Sequence, residues 1–152
     1  MLLNASDVIS GNEGRATAVI AGSVEDLFFV KSIEATMEKT KAEIKTLGQR
    51  STGHKAAGWN GTGSMTIHYM TSLFRKLASQ YAKTGKDVYF TLTVVNEDPG
   101  STVGKQTTVL YNCNLDNTIV AKLDTESDTL DESVDFTFEG FDILDEFGKP
   151  IV

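Results

Sequence analysis

Residues 59–85 read WNGTGSMTIHYMTSLFRKLASQYAKTG, and a turn, a strand and a helix succeed one another along them. Trp59 to Ser64 is glycine-spaced and reads as a turn. Met65, Ile67 and Tyr69 then alternate with Thr66, His68 and Met70, the period of two of a half-buried strand. From Thr71 the period lengthens. Phe74, Leu77, Ala78 and Tyr81 fall at i, i+3, i+4 and i+7, one apolar stripe on a helix. A hydroxyl of Thr71 or Ser72 can accept from a free N–H of its first turn. Lys83 suits the negative end of the helix dipole, and Gly85 supplies the left-handed residue that ends it. No other stretch makes so convincing a helix, and the chain on both sides reads as strand. The expectation is a single mainly β domain of the α+β class over residues 1–152: an antiparallel β-barrel or sandwich with one flanking α-helix.

Upstream, residues 1–15 are polar and glycine-bearing with little periodicity, and read as an N-terminal arm or irregular lead-in. Residues 16–21, ATAVIA, form a first strand closed by Gly22. Leu27-Phe28-Phe29-Val30 is a continuous apolar run suited to a strand buried on both faces. It continues into Ile33, Ala35 and Met37, which alternate with Glu34, Thr36 and Glu38 to give one long strand. From Lys39 the sequence is charged, and Ala42 and Ile44 sit on the opposite parity from Met37. This predicts an extended, projecting segment rather than a helix. Gly48 to Gly58, GQRSTGHKAAG, reads as a long surface loop, so residues 39–58 together are a projecting segment and loop.

Downstream, Val88, Phe90, Leu92 and Val94 alternate with polar neighbours in the clearest strand of the chain. Asn96 to Gly100 is a turn. Residues 106–113 and 115–123 read as two strands, and 124–132 as an acidic loop. A last strand begins at Ser133, where Val134, Phe136 and Phe138 share one parity; at Gly140 the phase flips to Phe141 and Ile143, which predicts a β-bulge.

The search for chemistry returns nothing. His54 and His68 are the whole imidazole supply and neither lies in a partner motif. Cys113 falls on an apolar parity and reads as a small buried hydrophobe. Gly61 to Ser64 lacks the lysine of a phosphate loop. Asp124, Glu126 and Asp128 lack the glycine and distal glutamate of a calcium loop. No enzyme, cofactor or metal is expected. With 21 acidic and 14 basic residues the chain carries −7, the wrong sign for gripping nucleic acid. The absence of an apolar run of about 20 residues argues against a membrane span. A polar start and a single cysteine point to the cytosol.

The order and spacing of four landmarks carry a resemblance over roughly residues 9–144. They are Ile9-Ser10-Gly11 with Gly14; Lys31 to Lys41, KSIEATMEKTK; Gly58 to Ser64, GWNGTGS, leading into a strand, Ser72 and the helix; and the closing Phe136-Thr137-Phe138. Together these resemble the tail tube proteins of contractile-tailed phages and phage-like elements, of the XkdM type. The resemblance implies a subunit that packs into hexameric rings, which stack into a hollow tube. It further implies partners in a tail sheath, a baseplate or initiator, and a tail terminator. DNA would pass through without specific binding, and assembly would take place in the bacterial cytoplasm before incorporation into a virion tail or phage-like particle. The inner tube of a phage-derived bacteriocin or secretion-type injection machine is the alternative within this class, and a small-ligand-binding β-barrel the more remote one.

A charged projecting segment on a domain without a site is what an interaction protein presents. Lys39, Lys41, Glu43, Ile44, Arg50, His54, Lys55 and Trp59 are therefore expected at subunit contacts, on an arm that orders when rings stack. Glu34 and Glu38 share the polar parity of the long strand, and Asp135 and Glu139 that of the last. Parity is equally satisfied by a lumen wall or an outer surface. The resemblance to tubes and the acidic balance favour the lumen.

Overall fold

The computed structural model describes residues 4–27 and 30–150. A 3-10 turn at Ala5–Asp7 precedes β1 (Gly14–Ile20), β2 (Ser23–Asp26), β3 (Val30–Ile44) and β4 (Gly53–His68). Helix α1 (Leu73–Thr84) leads to β5 (Phe90–Glu97), β6 (Lys105–Leu115), β7 (Asp131–Phe138) and β8 (Gly140–Asp145). Every pairing is antiparallel, in the order β2-β1-β5-β6-β7-β4-β3, with β8 added to β6.

Strand β6 belongs to both halves of this path. Most of it pairs with β5 and β8, while Asn114 and Leu115 at its end pair with Thr137 and Phe136 of β7. The two halves are thereby folded over one core, built from Ala18 and Ile20 of β1, Phe90 and Leu92 of β5, and Leu110 and Cys113 of β6. Met65 and Ile67 of β4 and Val134, Phe136 and Phe138 of β7 close it, with Phe74 from the helix. Burying each large apolar side chain contributes about 1.5–3 kcal/mol. The mainly β fold, an eight-stranded antiparallel sheet with one helix, is as the periodicities predict.

Helix α1 runs as expected to Gly85, whose φ of 73° and N–H bond to the Tyr81 carbonyl close it. At its start the Thr71 hydroxyl accepts from Leu73 N at 3.3 Å, while the Ser72 side chain makes no capping bond. Cys113 is fully buried, as expected, and burial pushes its thiol up to about 12.

Six readings are corrected. First, the first strand starts two residues early, at Gly14, and in the irregular lead-in before it Asp7 is buried against the 101–102 turn. Its carboxylate accepts from Thr102 N at 3.0 Å and Thr102 Oγ1 at 2.6 Å, bonds that hold its pKa below the usual carboxylate value.

Second, residues 48–58 are not one loop, nor are 59–64 a turn, because β4 begins at Gly53. The glycines serve the sheet. A Cβ at Gly61 would meet the Phe138 ring at 2.6 Å, and one at Gly63 would meet the Phe136 ring, so each glycine leaves space that an aromatic side chain of the next strand fills.

Third, 115–123 is not a strand. Asp116 N donates to the Asp135 carbonyl at 2.8 Å and Asn117 bonds Asp135, which draws the chain off the ladder and leaves Val120 and Leu123 exposed.

Fourth, the last sheet segment starts two residues early, at Asp131, because Glu132 finds a buried partner.

Fifth, the phase flip at Gly140 is a change of sheet. β7 pairs with β4, whereas β8 pairs with β6. Sixth, Leu27 is not part of the long strand, which is described from Val30, and Phe28 and Phe29 lie outside the described residues.

Candidate assembly surfaces

Beyond Ile33 every residue of β3 is exposed, and so is every residue of β4 before Gly61. The two strands nonetheless stay paired from Glu34–Ser64 out to Ile44–Gly53. Register shifts between Lys39 and Lys41, opposite a region where Gly58 adopts a φ of 137° that suits glycine alone. The result is a two-stranded flap standing off the body. At its apex Gln49 N donates to the Thr46 carbonyl, Gly48 takes a φ of 84°, and Leu47 is fully exposed.

The expected contact residues fall on this flap, with His54 and Lys55 in a strand rather than the expected loop. Lys39, Lys41, Glu43 and Ile44 lie on β3, His54, Lys55 and Trp59 on β4, and Arg50 in the connecting turn. Across the ladder Lys39 faces Trp59, Ala42 faces Lys55 and Glu43 faces His54. Trp59 differs from the rest. Its ring lies 6.0 Å from Phe138 and 5.7 Å from Phe141, centroid to centroid, and so anchors the flap's base to β7 and β8.

Of the expected acidic residues, Glu34, Glu38 and Asp135 share one face. Register puts Glu34, Ser64 and Asp135 in one row across β3, β4 and β7, and Thr36, Thr62 and Thr137 in the next. Glu38 follows opposite Asn60. Because alternate residues share a face, this side of the three strands is hydroxyls and acids, opposite the core face of Met65, Val134 and Phe136. Asp135 accepts from Asn117 Nδ2 at 2.8 Å and Glu139, just past β7, from Asn112 Nδ2 at 3.1 Å.

At the far end of that face stands a charge cluster. Asp131 pairs with Lys31 Nζ at 2.8 Å and His68 Nδ1 at 3.4 Å, and the lysine holds its carboxyl below the usual value. Beside it, fully buried Glu132 Oε2 accepts from Arg75 Nη1 at 2.9 Å. Arg75 also donates to the carbonyls of Thr71 and Ile119 and lies 4.3 Å over the Tyr69 ring, so it fastens α1 to β7 and to the 116–130 segment. Residue patterning had missed this pair. The available signal was a glutamate on the core parity of Val134, Phe136 and Phe138.

Between α1 and the end of β6 runs a groove of about 380 Å³, floored by Leu77, Ala78, Val88 and Leu115 and edged by Asp87 and Asp116. The Asp124 carboxylate, considered above for calcium, accepts from Glu126 N and the Ser127 hydroxyl within its own turn. No group of three or more metal-ligating side chains occurs among the described residues, and no helix among them is long and apolar enough to cross a membrane.

Known proteins bear on these surfaces. The chain is 44% identical over 143 residues to the phage-like element PBSX protein XkdM of Bacillus subtilis (strain 168), covering 94% of this chain and 95% of that one. Its fold is similar to a chain in the six-fold symmetrised baseplate of the anti-feeding prophage, at a TM-score of 0.66 and 12% identity over 95% and 97% of the two chains. It is also similar to a chain of the sheath–tube complex of an extracellular contractile injection system, PVC, in the extended state. There the TM-score is 0.62 at 12% identity, over 85% of this chain and 87% of that one. The sequence profile of the family described as phage tail tube protein matches residues 1–145, and the chain belongs to that family.

Proposed function

We propose that this chain polymerises as stacked hexameric rings that form the conduit of a phage or phage-like contractile tail. The observation that carries this reading is the β3–β4 flap: long, regularly paired and almost without buried side chains. An isolated two-stranded hairpin is marginal in water, so a flap of this length is best accounted for by a surface that receives it. Stacked rings supply that surface through a heterologous contact, in which one patch of a subunit meets a different patch of the next.

In this reading the hydroxyl and carboxylate face of β3, β4 and β7 lines the lumen. Its acids keep phosphates from adhering while DNA passes. Sheath, baseplate and terminator proteins are the partners of the outer wall and of the two tube ends. Negative-stain microscopy of the purified chain, alone and with its baseplate partners, tests the proposal. Tubes of six-fold cross-section are expected. A chain that stays monomeric in both samples rejects it.

A further inference from the structure

Charge is segregated along this chain. Residues 39–58 hold Lys39, Lys41, Lys45, Arg50 and Lys55 against Glu43 alone, a net +4 within a chain of −7, so the remainder carries −11. Among the described residues none of these five cations makes an ion pair. Asp87 and Asp116 at the α1–β6 groove likewise lack a cationic partner there. The Asp87 carboxylate is held in place, accepting from Asn114 Nδ2 at 2.8 Å and from Val88 N at 3.0 Å. The apex of the flap joins the same two chemistries in complementary form. Leu47 is fully exposed on an ordered β-turn between Lys45 and Arg50.

Resting on the reading of the chain as a tube subunit, we infer that the flap apex of one copy docks in the α1–β6 groove of a second copy. Leu47 lies on Leu77, Ala78 and Leu115, and Lys45 and Arg50 meet Asp87 and Asp116. Leucine matches the apolar floor, and the acids at the rim select a basic apex and set its orientation. Donor and acceptor are different surfaces of the same chain, so each docked copy presents a fresh apex and the contact propagates.

Two tagged populations, one carrying Leu47→Cys and the other Ala78→Cys, are mixed, allowed to assemble and oxidised; a second mixture pairs Leu47→Cys with Tyr81→Cys. The native Cys113 is a silent background, because it is fully buried and its thiol stays protonated. A cross-link between the two tags is expected, well above that between like tags. Microscopy of the same samples separates this inference from the tube itself. Tubes without the mixed cross-link in either pairing overturn the docking and leave the tube standing. The cross-link without tubes supports the docking and removes the tube, and neither product overturns both. Independently, Lys45→Glu with Arg50→Glu should raise the critical concentration for assembly roughly tenfold at low salt, less at high salt. Adding Asp87→Lys and Asp116→Lys should recover part of that loss. An unchanged critical concentration for the flap variant speaks against the docking.

Discussion

Arg75 and Glu132 hold the helix to the sheet through a charge pair that water hardly reaches. Removing one partner leaves the other buried and uncompensated, which typically costs about 3–5 kcal/mol, whereas replacing both with apolar groups is often neutral. Arg75→Leu should therefore lower the urea midpoint sharply, and Arg75→Leu with Glu132→Leu should recover much of the loss. Equal losses in the single and double variants would contradict the pair's role.

Asp131 gives a pH signature of definite sign. Lys31 depresses its folded pKa, so the stability it contributes is fully present above about 3.9. That stability disappears as pH falls through the lower, folded value. The stability gap between wild type and Asp131→Asn, followed by denaturant unfolding across pH, should be widest above pH of about 4 and close below it. A gap that widened on acidification would refute the assignment.

At the scale of elements, what was legible depended on how local the cause was. The helix declared itself because its stripe, its terminal lysine and Gly85 all lie within one stretch. Strand β5 did so through alternation alone. The glycines of β4 misled because their reason lies some 75 residues downstream, in the rings of Phe136 and Phe138 that cover them across the ladder. Residues 115–123 alternated convincingly, yet the bonds of Asp116 and Asn117 to Asp135 decide their course, and no period encodes a long-range bond. Of the candidate surfaces, the parity of the acidic face and the existence of a projection were readable. That the projection is a paired flap was not. Its rung from Lys41 to Ala56 provides a clean place to cut. Replacing residues 42–55 with Asn-Gly should close a short hairpin and leave the body of the domain folded. Circular dichroism and a thermal midpoint close to wild type are expected, together with loss of tubes by microscopy. Normal tubes from this variant would remove the flap from assembly.

At the scale of the whole molecule, the polar face of β3, β4 and β7 and the acidic balance of the body make one electrostatic statement. Repulsion between carboxylates and phosphates reaches only about 8 Å at physiological salt, so in the proposed tube an acidic lumen wall would prevent adhesion and would not propel DNA. Tubes carrying Glu34→Lys, Glu38→Lys, Asp135→Lys and Glu139→Lys should assemble yet release DNA more slowly, most visibly at low salt. Release at the normal rate at every ionic strength would place these residues outside the channel.

The sheet change at Glu139–Gly140 has a mechanical corollary. A pull on the flap tip draws β3 and β4 the same way and loads the β4–β7 rungs side by side in shear, so no rung carries the force alone. The load then passes through β4 into β7, and one residue later into β8 and β6 on the opposite layer. With Glu139 alone between β7 and β8, tension at the tip would shift the two strands together, and a column of such subunits would transmit a push or a twist along its length with little slack.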